Sequence, residues 1–287
     1  MSVTPLLFEK LVRVAPFGVS FWDVDLGRRV TDGLEVTLIP DGQPFTRVPA
    51  FRNTSGVYVA QNLPGLRSFE FGDEGGFESP ASPRDVHGFR VEVVDLTGRF
   101  HDVSFEAGLP VDSLFEAMCG SPPSPPGGIY DVVPLFSLPS RPVPAGFAAV
   151  RSQLVNVDGS PAHLAALEIV AFGGAEPVRG YADVRGEVLT LVPYPEPSGS
   201  TGSPPFVPGG KLTDQHWQIE VGASVPGAPP DATLPDICSF ALQQPASLTV
   251  GGIPLPATQT LDYGRDLILP PRPAAPELVV APTGSPP

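Results

Sequence analysis

The sequence predicts an all-β protein made of two small antiparallel sandwiches. Three observations carry this reading. One β-rich phrase occurs twice, from Phe21 to Leu66 and from Leu154 to Pro197, about 130 residues apart. Short runs alternate apolar and polar residues with the period of two that marks half-buried strands. The chain also holds 39 prolines and 31 glycines among 287 residues, against a usual proline share of about 5%. Long helices are excluded, because an interior proline costs a helix about 3 kcal/mol.

In the first copy, Leu34, Val36 and Leu38 alternate with Glu35 and Thr37, which reads as a strand. Asn53-Thr54-Ser55-Gly56 reads as a turn into a strand over Val57–Leu63, stopped by Pro64-Gly65. Arg90–Asp95 alternates again, and Asp95-Leu96-Thr97-Gly98 predicts a hairpin turn into a strand with Phe100, Val103 and Phe105. Gly72–Gly88 reads as a long polar loop and Val111–Met118 as a short helix. The second copy shows its best strands at Leu164–Ala171 and Val188–Val192, and Trp217, Ile219 and Val221 alternate with Gln218 and Glu220. Asp236–Gln244 reads as a short helix, and Ser247–Val250 with Ile253–Leu255 as a hairpin about Gly251-Gly252. The expected organisation is a first sandwich at 1–118, a proline-rich linker or arm at 119–145, a second sandwich with an extension at 146–269, and a proline-rich tail at 270–287. The linker prolines favour stiff extended backbone. The tail is expected to be mobile unless something binds it.

Charge narrows the function classes. Seventeen Lys+Arg face 31 Asp+Glu, for a net charge of −14. Nucleic acid is disfavoured, since phosphate neutralisation needs clustered cations, and so is an anionic membrane surface. A 41% hydrophobic content is enough for packed cores. The N-terminus lacks a basic start, apolar run and cleavage site, so no signal peptide is expected. No stretch approaches the ~20 apolar residues of a membrane span. Cytoplasmic synthesis fits this best. Cys119 and Cys238, the two cysteines, are expected as free thiols, with one bridge between the domains as the sharper alternative.

Motifs for chemistry are sparse. His87, His101, His163 and His216 fall in no metal-binding spacing. His101-Asp102 could orient an imidazole, but no nucleophile elbow accompanies it. Asp23/Asp25 and Asp73/Glu74 read as turn and loop acids rather than as a glycosidase pair or a calcium loop. No catalytic residue, metal ligand or cofactor is therefore expected. Trp22 and Trp217 lie in apolar strands and are expected in the core. Tyr194, between Pro193 and Pro195 at a strand end, is the aromatic candidate for binding. The proline-spaced arm Ile129–Pro144, with Ile129, Tyr130, Val133, Leu135 and Phe136, is the second candidate contact, since such a segment can lie along a sheet edge or a neighbouring subunit.

These phrases resemble the carboxypeptidase regulatory-like, or transthyretin-like, β-sandwich family, with an Ig-like pattern of strands. The first copy offers the Asp23–Gly27 turn, Asn53-Thr54-Ser55-Gly56-Val57-Tyr58 and Leu63-Pro64-Gly65. The second offers Val157-Asp158-Gly159-Ser160-Pro161, Ala182-Asp183-Val184-Arg185-Gly186 and Val192-Pro193. The first copy departs from the family pattern, with Asn53 in place of the usual aspartate and one closing proline missing. Gly56 and Gly186 should supply positive φ, and Asn53 and Asp183 should bond their own turns.

More narrowly, VTDGLEVTLIP, VPLFSLPSRPVPAGFAAVRSQL and VRGYADVRGEVLTLVPYPEP are similar to proteins found in gene clusters of extracellular contractile injection systems. That resemblance implies a non-enzymatic structural or accessory component of a phage-tail-like particle. Its partners would be sheath, tube, baseplate or cap subunits, with self-association through strand edges a further route. It would be made in the cytoplasm and assembled into a particle that can be released. The competing expectation is a carbohydrate- or cell-surface-binding module on a fibre or secreted particle.

Overall fold

Period-two patterning becomes strands wherever it is clear in the sequence. The computed structural model describes residues 13–71, 86–110, 119, 132–171, 176–194, 215–227, 234–270 and 277–283. Its first half contains β1 (Phe17–Asp23), β2 (Arg28–Val30), β3 (Leu34–Pro40), β4 (Val48–Arg52), β5 (Tyr58–Ala60), β6 (His87–Asp95), β7 (Val103–Leu109) and β8 (Val132–Leu135), with a short helix α1 (Arg67–Phe71). The strands run β2-β1-β5-β4-β3-β6-β7, and β8 joins β1 in parallel. Val36 and Leu38 of β3, Phe89, Val91 and Val93 of β6, Phe105 of β7 and Phe17 and Phe21 of β1 all point into one core and are almost fully buried. Each such side chain contributes about 1.5–3 kcal/mol on leaving water. Asp95 ends β6 as predicted. Its carboxylate accepts from the backbone N–H groups of Thr97 and Phe100 at 3.0 and 2.8 Å, which explains why a charged residue can be buried there.

The second half contains β9 (Phe147–Val155), β10 (Ala166–Ala171), β11 (Val178–Tyr181), β12 (Glu187–Pro193), β13 (His216–Pro226), helix α2 (Cys238–Ala241), β14 (Gln243–Val250), β15 (Ile253–Pro254), β16 (Thr258–Asp262), β17 (Leu267–Leu269) and β18 (Leu278–Pro282). Their order is β11-β10-β13-β14-β18-β9-β12, with β15 on β14, β16 on β13 and β17 on β9. Leu154, Leu167, Ile169, Ile219, Leu261 and Leu278 form its core. The expected helix over Asp236–Gln244 is shorter, because Gln243 and Gln244 already pair with β13. The expected helix at 111–118 and most of the expected loop, 72–85, lie outside the described residues. The fold is all-β, with two curled mixed sheets in sandwich-like form.

The duplicated phrase is a duplication of topology. β1 pairs antiparallel with β5 as β9 does with β12. β3 pairs with β4 and β6 as β10 pairs with β11 and β13. β6 pairs with β7 as β13 does with β14. The likeness extends to the bonds of a single turn. The Oδ1 atom of Asn53 accepts from the N–H of Ser55 and Val57, and the Oδ1 of Asp183 accepts from the N–H of Arg185 and Glu187. Gly56 and Gly186 take φ of 78° and 79° in those turns, a region that L side chains avoid.

Two stretches read as linker and tail are part of these sheets. The region 119–145 supplies β8, parallel to β1, and the region 270–287 supplies β18, parallel to β9 and antiparallel to β14. Both are short apolar runs between prolines, so their pattern gives little sign of pairing, and the strands they join in parallel, β1 and β9, lie more than a hundred residues upstream.

The two sandwiches meet in a common core. Leu164, Ala166 and Tyr181 of the second, with Ile237 and Phe240 from the stretch before β14, belong to the same buried cluster as Phe100, Val103 and Phe105 of the first. That stretch runs along β7, where the N–H of Ser104 donates to the carbonyl of Pro235 at 2.8 Å and the N–H of Ile237 donates to that of Ser104 at 2.9 Å. Here the expectation of free thiols is corrected. Cys119 and Cys238 form a disulfide, because the fold-back of this stretch brings their Cα atoms within 5.2 Å, inside the range that a disulfide spans.

Candidate functional site

The described residues concentrate their buried polar chemistry where the arm after β8 crosses the end of β1. Arg141 lies in this arm. Its guanidinium forks onto Asp23, with Nη1 to Oδ1 at 3.1 Å and Nη2 to Oδ2 at 2.5 Å, and both side chains are almost wholly buried. Nη1 also donates to Ser137 Oγ at 2.6 Å, and Ser137 in turn donates to Asp25 Oδ2 at 2.5 Å. The guanidinium stands 4.9 Å from the centre of the Phe100 ring, within cation–π range. Burial pushes the Asp25 carboxyl up to about 6, against the hydrogen bond from Ser137 and the charge of Arg141. One guanidinium thus serves two buried acids, and burial shifts the second of them toward its neutral form. Asp23 also accepts from the N–H of Leu26 at 3.1 Å, so its expected turn-forming role is present and Arg141 is added to it. Among the described residues no group of three or more His, Cys, Asp or Glu side chains is placed to hold a metal ion.

A second polar contact ties the sandwiches together behind this lock. His101 Nε2 lies 3.0 Å from the carbonyl of Tyr181, to which it donates in the tautomer that carries the proton on that nitrogen. Burial holds the His101 imidazole down at about 4. The Tyr181 hydroxyl donates to the carbonyl of Phe240 at 2.9 Å, and burial pushes it up to about 12. Phe136 stacks on Phe240 at 4.8 Å, with the Tyr181 ring edge-on to both. His101, Tyr181 and Phe240 are all buried. They join backbone to side chain within a closed interface.

The arm candidates divide three ways. Ile129 and Tyr130 lie outside the described residues. Val133 and Leu135 sit in β8, buried in the first core against β1 of the same chain. Phe136 is half-buried in the aromatic group just described. Tyr194 lies apart, at the end of β12, half-buried beside Trp217 and Tyr263 with ring centres 5.5 and 4.7 Å away. Its hydroxyl oxygen accepts from the N–H of Gly264 at 2.7 Å. Trp22 and Trp217, expected in the core, are only half-buried. The indole N–H of Trp22 is covered without a partner among the described residues.

Sequence reasoning did not single out Arg141, Ser137 or Phe240. Arg141 is one cation within a long proline-rich arm that holds no other, and that isolation is the one signal that could have marked it. The seam aromatics carry no such mark, because their partners are set by how the two sandwiches meet. Comparison with known proteins adds no identification: no family model and no curated protein matches this chain.

Proposed function

We propose that this chain is a non-enzymatic structural component of a contractile injection system or similar phage-tail-like particle. The observation that carries the reading is the seam. Two sandwiches share one buried cluster, and the conspicuous buried groups, Asp23, Asp25, His101, Arg141 and Tyr181, hold segments of the chain to one another. A chain welded in this way suits a rigid spacer between other subunits. Since Val133 and Leu135 are occupied within the chain, docking falls to exposed strands such as β16 and to the remaining proline-rich stretches. Sheath, tube, baseplate or cap proteins are the partners implied by the resemblance of its wording, and cytoplasmic assembly the setting. The test is affinity purification of tagged protein from its native cell, with mass spectrometry and negative-stain imaging. Sheath and tube subunits in the eluate, with visible rods, are expected. Recovery of the chain alone from a lysate containing rods overturns the reading.

A second reading has one observation in its favour. Tyr194, Trp217 and Tyr263 bring three aromatic rings together, each half-buried, at the rim of the second sandwich. Such a group suits stacking on a sugar face in a carbohydrate-binding module. Glycan binding by the isolated chain that disappears in Tyr194→Ala supports it, and no binding across a broad glycan panel removes it.

A further inference from the structure

The stretch Leu234–Ala241 holds the two sandwiches together through a narrow footing. Its backbone meets β7 at Ser104, and its side chains Ile237 and Phe240 fill the first sandwich's core. Both cysteines pack against the same cluster, and Cys238 opens α2, two residues before Phe240. The sulfur bridge therefore sits beside the wedge itself and closes a separation of 119 residues that takes in the arm and most of the second sandwich.

We propose that the Cys119–Cys238 disulfide is an oxidation-set clamp. Closed, it holds the Leu234–Ala241 wedge on the first sandwich and makes the two sandwiches one body. Open, it leaves the wedge held by packing and its few hydrogen bonds to Ser104 and Tyr181, so the seam opens far more often. The clamp closes by thiol–disulfide exchange: the two thiols form one S–S bond while an external disulfide oxidant accepts two electrons and two protons and leaves as two thiols. A reducing cytosol keeps such a pair open, and an oxidising surrounding closes it. The wedge is sensitive to this because a cross-link over so long a loop removes much of the entropy gained on detachment.

The experiment uses the full chain, prepared without reductant under oxidising conditions. Alkylation followed by intact-mass measurement should find no reactive thiol before treatment with a dithiol reductant and two after it. Amide hydrogen exchange should then show the N–H groups of Ser104 and Ile237 exchanging at least tenfold faster in the reduced protein, with protection restored on reoxidation. Cys119→Ser and Cys238→Ser should each match the reduced state. If either variant fails to fold, the reduced and reoxidised natural chain decides. Two alkylated thiols in the oxidatively prepared protein overturn the proposal, and so does equal exchange at Ser104 and Ile237 in both states.

Discussion

Arg141 and Asp23 meet as a buried two-bond pair that fastens the arm between the sandwiches to the end of β1. Removing one partner strands the other charge, which typically costs about 3–5 kcal/mol. Arg141→Met should therefore lower the melting temperature by roughly 10 °C. Asp23→Asn added to it should recover much of the loss, since asparagine still accepts from Leu26 and carries no charge. A double-mutant cycle by thermal denaturation checks this, and strict additivity of the two changes would count against a coupled pair.

Asp25 makes this lock pH-dependent. Its carboxyl titrates near 6 in the folded chain against 3.8 ordinarily. The group thus contributes stability that is complete below about pH 4 and is lost as pH rises through 6, on the order of 3 kcal/mol in all. In urea titrations, Asp25→Asn should gain on the natural protein between pH 4.5 and pH 7.5. A constant difference over that window rejects the assignment.

His101 acts in the opposite sense. Its folded value lies near 4, below the ordinary 6.5, so its contribution is present above pH 6.5 and is lost as pH falls toward 4. His101→Gln should flatten the acid side of the stability profile and leave the neutral side's slope unchanged. The same urea series read from pH 7 down to pH 4 checks it.

The matched turns predict unequal costs for the same substitution. A Cβ at Gly186 would lie 2.2 Å from the carbonyl oxygen of Leu154, whereas at Gly56 the nearest atom is the Thr31 methyl at 2.7 Å. Both positions carry the left-handed backbone penalty of about 1–2 kcal/mol, and a side-chain methyl yields more easily than a backbone carbonyl. Gly186→Ala should cost about 3 kcal/mol or more and Gly56→Ala about 1–2 kcal/mol. Chemical denaturation ranks them, and the reverse order contradicts the geometry.

Phe240 is the centre of the seam, so its loss should change cooperativity as well as stability. Calorimetry of the natural chain should show one transition. Phe240→Ala should cost about 3–5 kcal/mol and split the unfolding into two steps. A single transition shifted to lower temperature would mean that the remaining contacts suffice to couple the sandwiches.

What was legible in the sequence was local. The alternation of Leu34–Leu38 and Arg90–Asp95, the Asp95 turn and the paired Asn53 and Asp183 turns all rest on neighbours a few positions apart, and each has its expected form. β8 and β18 were harder to see, because Pro134 and Pro282 blur the strand signal and their parallel partners, β1 and β9, are remote in sequence. The Cys119–Cys238 bond and the contacts of Phe240 follow from how one sandwich settles on the other, which no spacing along the chain records. Within the arm, extended backbone at Val132–Leu135 was readable from proline. That Val133 and Leu135 would fill the chain's own core was not.

The shared core also has a consequence for synthesis. Ribosomes deliver the chain from its first residue onward, yet the first sandwich takes its parallel strand from Val132–Leu135 and two core side chains, Ile237 and Phe240, from far later. While the second sandwich is still being translated, the half already outside the tunnel presents an unfilled apolar hollow beside β7. Its maturation therefore waits on the rest of the polypeptide, and a chaperone that shields this hollow would matter most during that interval.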